Sequence, residues 1–263
     1  PETTIDCSAT AYFFAKQITE TLNLPVGLVI NSWGGSRIES WMTEETLSSI
    51  QGIDIETAKS SKLDVRNRLG CLYDIMLWPV KNYTARGFLW YQGESNIFNY
   101  QFYAPMMTAM VQLWRNVWEA PDMPFYYVQI APYKYENSRN TGAALLREAQ
   151  VEALKTIPNS GIVPTTDIGD EFCIHPPQKD VVGLRLATLA LTKTYGIRRL
   201  PSNGPMMTKV DYADKKAIVT FDNAPVGLFP TFSELEGFEI AGADKKFYPA
   251  KAKIVGRTNT VEV

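Results

Sequence analysis

Apolar residues recur at helical spacing over residues 8–23 (SATAYFFAKQITETLN), with Ser8 placed to cap the first turn. Residues 25–33 (PVGLVINSW) form a continuous apolar and β-branched run, which predicts a strand covered on both faces. GGSRIESWM then predicts a tight turn into a helix. Residues 87–91 (GFLWY) predict a second buried strand that stops abruptly at QGESN. An amphipathic helix over YQFYAPMMTAMVQLWRNVWEA leads to a third strand, MPFYYVQIA. A helix over GAALLREAQVEALKTI leads to a fourth, SGIVPTTDI, and PPQKDVVGLRLATLALTKTYG predicts a last long helix. This alternation implies βαβ units and a parallel sheet with helices on both faces. After about Leu200 the texture changes to short strands (KKAIVTFDNAP, LEGFEIAG, KKFYPAKAKIVG, TNTVEV) divided by Gly, Pro and Asp-rich turns. The expected organisation is an α/β domain over residues 1–200 and a small antiparallel β appendage over 201–263. The chain enters a helical pattern at once and stops in what reads as a strand in progress. It is therefore expected to be a piece of a longer polypeptide, with the appendage truncated.

Composition narrows the classes. The 263 residues are 45% hydrophobic and 21% charged, ordinary for a globular protein, and the net charge of -2 gives no reason for a nucleic-acid or anionic-membrane partner. No apolar run approaches the roughly 20 residues that span a bilayer. The three cysteines, Cys7, Cys71 and Cys173, are odd in number and widely spaced. They make neither a disulfide framework nor a zinc motif, and they read as packed free thiols. The aromatics (13 Tyr, 12 Phe, 6 Trp) fit a large core and fit a site that stacks on sugar rings equally well.

In an open parallel sheet, ligands bind beyond the carboxyl ends of the strands. Three unusual turns fall there: NSWGGS, YQGESN and DIGDEFCIHP. The last holds the only histidine, His175, among the carboxylates Asp167, Asp170 and Glu171 and just before Pro176 and Pro177. An imidazole in such a loop can act as a base, oriented by a carboxylate through its second nitrogen. Gly34 and Gly35 either satisfy a turn that needs positive φ or let backbone N–H groups approach an oxyanion. The amides of Gln92 and Asn96 can donate to a developing negative charge, and Glu94 is a binding or a capping carboxylate. Ser95 does not sit in a nucleophile elbow, because Ile97 stands where G-x-S-x-G needs glycine. Ser36 and Ser95 remain the in-chain alternatives for a nucleophile.

Together, NSWGGSRIESW, WYQGESN and IHPPQKDVVGLRLA resemble the sialate O-acetylesterase branch of the SGNH esterases. LYDIMLWPV, LWRNVW, PFYYVQIAPY, LLREAQ and GFEIAGADKKFYPAKAKI resemble further family segments, in family order, over nearly the whole chain. The resemblance implies a flavodoxin-like three-layer α/β/α fold and removal of acetyl groups from sialic acids or decorated plant polysaccharides, with no cofactor or metal and a periplasmic or secreted location. By the same resemblance His175 is the catalytic base. Gly34 or Gly35 supplies the oxyanion N–H, Gln92 or Asn96 the oxyanion amide, and Gly93 and Glu94 lie in the same block as supporting or substrate contacts. The family's first block, a GQSN-like turn carrying the serine, is not found here. Its serine is expected on a missing N-terminal segment, leaving this fragment inactive alone. Where many members place an aspartate two residues before the histidine, this chain has Cys173, so Asp170 (or Asp167) is expected to orient the ring. The rival expectation is a carbohydrate-binding pseudo-enzyme whose charge relay has been lost.

Overall fold

The computed structural model describes residues 7–135, 141–198, 200, 202–230 and 234–263. They fall into two compact units that meet between residues 202 and 203.

The first unit is built on the parallel strands β1 (Phe88–Trp90), β2 (Phe125–Val128) and β3 (Ser160–Val163), in the order β1-β2-β3. Its helices are α1 (Ala9–Leu22), α2 (Glu44–Ser48), α3 (Ile55–Lys59), α4 (Tyr103–Val117), α5 (Gly142–Glu152) and α6 (Lys179–Lys193). Ser8 caps α1 as its position predicts, its Oγ accepting the N–H of Ala11 at 3.3 Å. The pleat of β2 sorts the layers, because successive side chains point to opposite faces. Phe125 and Tyr127 enter a cluster with Trp90, Met106, Met110, Trp114 and Leu146. Tyr126 and Val128 enter another with Ile18, Val182, Leu186 and Leu189. So α4 and α5 cover one face and α1 and α6 the other, giving a three-layer α/β/α sandwich. A strand buried on both sides has no polar face to show, which is why its sequence is continuously apolar.

Gly183 lies where α6 meets α1. A Cβ there would stand 2.6 Å from Phe13 Cβ and 2.8 Å from the Thr10 carbonyl oxygen. Gly183→Ala is expected to force the helices apart and cost about 1–3 kcal/mol. The check is a denaturant midpoint that falls at unchanged slope; an unmoved midpoint would mean that α1 shifts at no cost.

One predicted strand is not formed. Among the described residues, no backbone hydrogen bond joins residues 25–32 to any strand. Val29 is 52% exposed and Ile30 42%. Their β-branched side chains favour an extended chain, but a strand also needs a neighbour for its backbone groups. Val26 packs on the α1/α6 cluster, and three residues beyond the run the Ser36 carbonyl accepts from Gln92 in the turn after β1. Leu89, in the middle of β1, is itself 36% exposed. The predicted GGSRIESWM helix is a short 3-10 turn, Ile38–Trp41, rather than a full helix.

The second unit is all antiparallel. Strands β4 (Met206–Ala213) and β5 (Lys216–Asp222) form a hairpin, and β6 (Glu239–Ala241) pairs with β7 (Phe247–Pro249). Strands β8 (Lys253–Ile254) and β9 (Thr260–Glu262) complete a four-stranded sheet of order β4-β5-β9-β8 over a small core of Val219, Leu228, Ala252 and Val261. The β character matches the expected appendage, although β4 is not singled out by the sequence pattern.

Candidate active site

The glycine turn closes with the Ser36 N–H on the Trp33 carbonyl at 3.3 Å. Gly35 adopts φ +74, which L side chains adopt only under strain. Gly34 and Gly35 are exposed, and among the described residues their N–H groups donate to no acceptor. They are free donors on an open rim. Their carbonyls point the other way: Gly34 O accepts from Arg66 Nη1 at 3.0 Å and Gly35 O from Ser95 Oγ at 2.9 Å.

The turn after β1 is locked to the glycine turn from below. Gln92 Nε2 donates to the Ser36 carbonyl (2.9 Å) and to Asn96 Oδ1 (2.8 Å), while Gln92 Oε1 accepts from the Tyr103 hydroxyl (2.9 Å). Asn96 is wholly buried. Its Oδ1 also accepts the Ile38 N–H at 3.0 Å, and its Nδ2 donates to Glu39 Oε2 (2.8 Å) and Asn99 Oδ1 (3.1 Å). Both N–H groups of each amide are therefore used inside the protein. In this arrangement Gln92 and Asn96 brace the two turns, where the sequence suggested that one of them donates to an oxyanion. Gly93 is required by space, since a Cβ would lie 2.7 Å from both Ile130 Cγ2 and Leu146 Cδ2. Gln150, also buried, stitches the base: its Nε2 donates to the carbonyls of Gln92 and Val128, and its Oε1 accepts the Ile130 N–H.

His175 is exposed in the third turn. The carboxylates expected to orient it are engaged elsewhere. Asp167 holds Arg185 through two contacts, 2.8 and 2.5 Å, and that guanidinium keeps its carboxyl below the usual carboxylate range. Asp170 Oδ1 accepts the N–H groups of Phe172 (2.7 Å) and Cys173 (3.0 Å), which folds the loop. A short carboxylate two residues before a pair of free N–H groups satisfies them locally, and this outcompetes reaching for the ring. Cys173 donates its thiol to the His175 carbonyl at 3.2 Å.

Glu94, in the turn after β1, interacts electrostatically with the imidazole. Burial pushes Glu94 up from the usual glutamate range; its own N–H, Lys179, His175 and the Gly93 N–H pull it back only in part. The sign of the stability effect follows. With its folded value raised, Glu94 favours folding below the unfolded glutamate range and loses that contribution as pH rises through the folded value. Glu94→Gln is therefore expected to raise Tm at pH 7 relative to wild type and to lose the gain near pH 4. A variant less stable than wild type at pH 7 would contradict this.

The in-chain serines of these turns are committed. Ser36 is buried, and its Oγ accepts from Trp41 Nε1 at 3.0 Å. Ser95 is spent on Gly35. Among the described residues no cluster of His, Cys, Asp and Glu is arranged to hold a metal ion, and no helix is long and apolar enough to cross a membrane. Sequence reasoning assigned no role to Glu39, Gln150 or Lys179. Glu39 lies in the GGSRIESWM segment and Gln150 in the helix over GAALLREAQVEALKTI, and only burial exposes their part. Lys179 stands four residues after the histidine, a spacing visible in the sequence.

A parallel sheet between two helical layers, with glycine, amide and histidine turns near its carboxyl edge, defines an SGNH-like α/β protein. The family model for carbohydrate esterase, sialic acid-specific acetylesterase, matches residues 4–192, and the chain belongs to that family. Sialate O-acetylesterase of Mus musculus is 27% identical over 247 residues, covering 78% of this chain and 46% of the mouse protein. That of Homo sapiens is 27% identical over 229 residues, covering 81% and 44%. The crystal structure of a carbohydrate acetylesterase from Xanthomonas citri superposes with a TM-score of 0.84 at 33% identity, covering 96% of this chain and 56% of that one. The chain thus spans about half the length of these relatives.

Proposed function

We propose that this chain is the histidine-bearing part of a carbohydrate O-acetylesterase, of sialate or acetylxylan type, that works by serine acyl transfer. The observation that carries the reading is the joining of the turns: the Gly34–Gly35 rim, with two free N–H groups, is bolted to the Gln92–Asn96 turn. A serine hydroxyl attacks the acetyl carbonyl carbon and its proton passes to the imidazole. The carbonyl oxygen becomes an oxyanion held by the Gly34 and Gly35 N–H groups, which typically contribute about 3–4 kcal/mol each to such a step. Collapse expels the sugar oxygen, which takes the proton from the imidazolium. Water then attacks the acyl-serine with His175 as base, and acetate leaves. Glu94, not Asp170, is the carboxylate that stabilises the imidazolium.

The serine belongs to polypeptide outside residues 1–263. Ser36 and Ser95 are both engaged, and β1, the end strand in the order β1-β2-β3, has an edge that a further parallel strand could join. The exposure of Leu89, in the middle of β1, supports such a strand. The test is labelling with an organophosphate. Residues 1–263 are expected to take up no stoichiometric serine adduct and to leave an aryl acetate intact, whereas the longer polypeptide labels once and hydrolyses it. An adduct on Ser36 or Ser95 would overturn the placement of the nucleophile.

A further inference from the structure

A cavity of about 230 Å3 adjoins the glycine rim, its lining including Arg37, Glu39, Asp54, Ser95, Phe98 and Asn99. It falls below the roughly 300–1,000 Å3 of pockets for drug-sized molecules, which leaves room for one sugar ring. Ser95 joins it to the rim, its Oγ donating to the Gly35 carbonyl at 2.9 Å. Arg37 stands two residues after Gly35. Its backbone N–H donates to Asn67 Oδ1 at 3.0 Å. Among the described residues its half-buried guanidinium makes no hydrogen bond or ion pair. Phe98 is 74% exposed, and among the described residues its ring packs on no other ring.

We propose that this cavity is a subsite for a neutral pyranose ring of the substrate, with the C–H face of the ring on Phe98 and its hydroxyls on Arg37 and Asp54. Calling the ring part of the substrate rests on the esterase reading; the cavity and its chemistry do not. The hydrogen-bonding groups left over in the lining select the ligand. Arg37 offers free donors. Asp54 accepts one bond at each oxygen, from the Thr57 N–H (3.1 Å) and the Thr57 hydroxyl (2.6 Å). A carboxylate has about four lone-pair sites, so Asp54 can still accept. A sugar hydroxyl both donates and accepts, and it meets both needs. The carboxylate of a sugar acid only accepts. It would find one guanidinium and two carboxylates, Asp54 and, at the buried end, Glu39. Like charges in a confined, partly dry space repel. The lining thus favours a neutral sugar over a sialic acid, and the unstacked ring of Phe98 gives that sugar an apolar platform.

The experiment measures binding of unesterified sugars to residues 1–263 by amide chemical shifts. Xylotriose and mannotriose are the neutral ligands and N-acetylneuraminic acid the anionic one. At least one neutral sugar is expected to shift the amides of Arg37, Phe98 and Asn99 saturably. Phe98→Ala should weaken that binding about tenfold, as loss of a stacking face does. Arg37→Met should weaken it about tenfold as well, through loss of charge-assisted hydrogen bonds. N-acetylneuraminic acid should bind about tenfold more weakly than the better neutral sugar, and Asp54→Asn should narrow that gap by removing one negative charge. Saturable shifts at these amides with neither neutral sugar overturn the proposal. So does tighter binding of the sugar acid, and so does neutral-sugar binding that survives both Phe98→Ala and Arg37→Met. The same titrations on the longer polypeptide cover a shorter chain that fails to fold. No ester is cleaved in any of them, so their failure leaves the esterase reading standing, and a longer polypeptide without turnover leaves the subsite standing.

Discussion

His175→Ala, made in the polypeptide that carries the serine, is expected to reduce turnover of an aryl acetate by about 10^4-fold or more, the size of loss seen when the base of a Ser–His pair is removed. The effect is large because this chain has no second imidazole to substitute, His175 being the only one in 263 residues. It should also be clean. The ring is exposed, and among the described residues no hydrogen bond to it is made. Its removal leaves no buried group unpaired, so stability should change by less than about 0.5 kcal/mol. The measurement is kcat and KM beside a thermal melt. Turnover within tenfold of wild type, in a protein with an unchanged melt, would remove His175 from the mechanism. A companion variant separates the two readings of the acid: Glu94→Gln should lower kcat with little change in KM, while Asp170→Asn should act through the loop alone and leave kcat nearly intact.

Much of this was legible before any coordinates, for physical reasons that can be named. The helices α1, α4, α5 and α6 carry apolar stripes at a period of 3.6, and the buried strands carry unbroken apolar runs, so their types followed from pattern. The run at residues 25–33 has the apolar, β-branched character of a buried strand, yet among the described residues its backbone pairs with no strand. Pattern reports what a segment prefers, and pairing depends on whether a neighbour is there to receive its backbone. The positions of the turns followed from strand ends, but their inner wiring did not. Asn96 and Gln92 look in sequence like free donors at a strand end. Only the geometry shows that Glu39, Asn99, Ser36 and Tyr103 consume their hydrogen bonds. The local engagement of Asp170 has the same root. A carboxylate five residues from a histidine can turn inward or toward the ring, and local N–H groups decide it. Glu94 lies 81 positions away along the chain, and nothing short of the fold brings it to His175.

The bracing amides give the second large effect. Asn96→Ala in residues 1–263 is expected to cost about 3–5 kcal/mol, because it strands a buried carboxylate along with two N–H donors. Glu39 is 5% exposed and is held by two amides, Asn96 at Oε2 and Asn99 at Oε1 (2.7 Å). Removing Asn96 takes one of these and also leaves the Ile38 N–H and one N–H of Gln92 without an acceptor. By contrast Asn99→Ala takes a single contact from Glu39 at a half-buried position, so about 1–2 kcal/mol is expected. Glu39→Gln, which removes the charge and keeps the shape, should recover part of the loss in an Asn96→Ala background, since the stranded group is then neutral. Urea titrations of the four proteins form a double-mutant cycle for the pair. Additive losses across the cycle, or a loss below about 1 kcal/mol for Asn96→Ala, would show that the Gly34–Gly35 rim is held by something other than this network. If the coupling is found, the Gly34–Gly35 rim and the turn that carries Glu94 rise and fall as one unit. The integrity of both turns then depends on a buried carboxylate, Glu39.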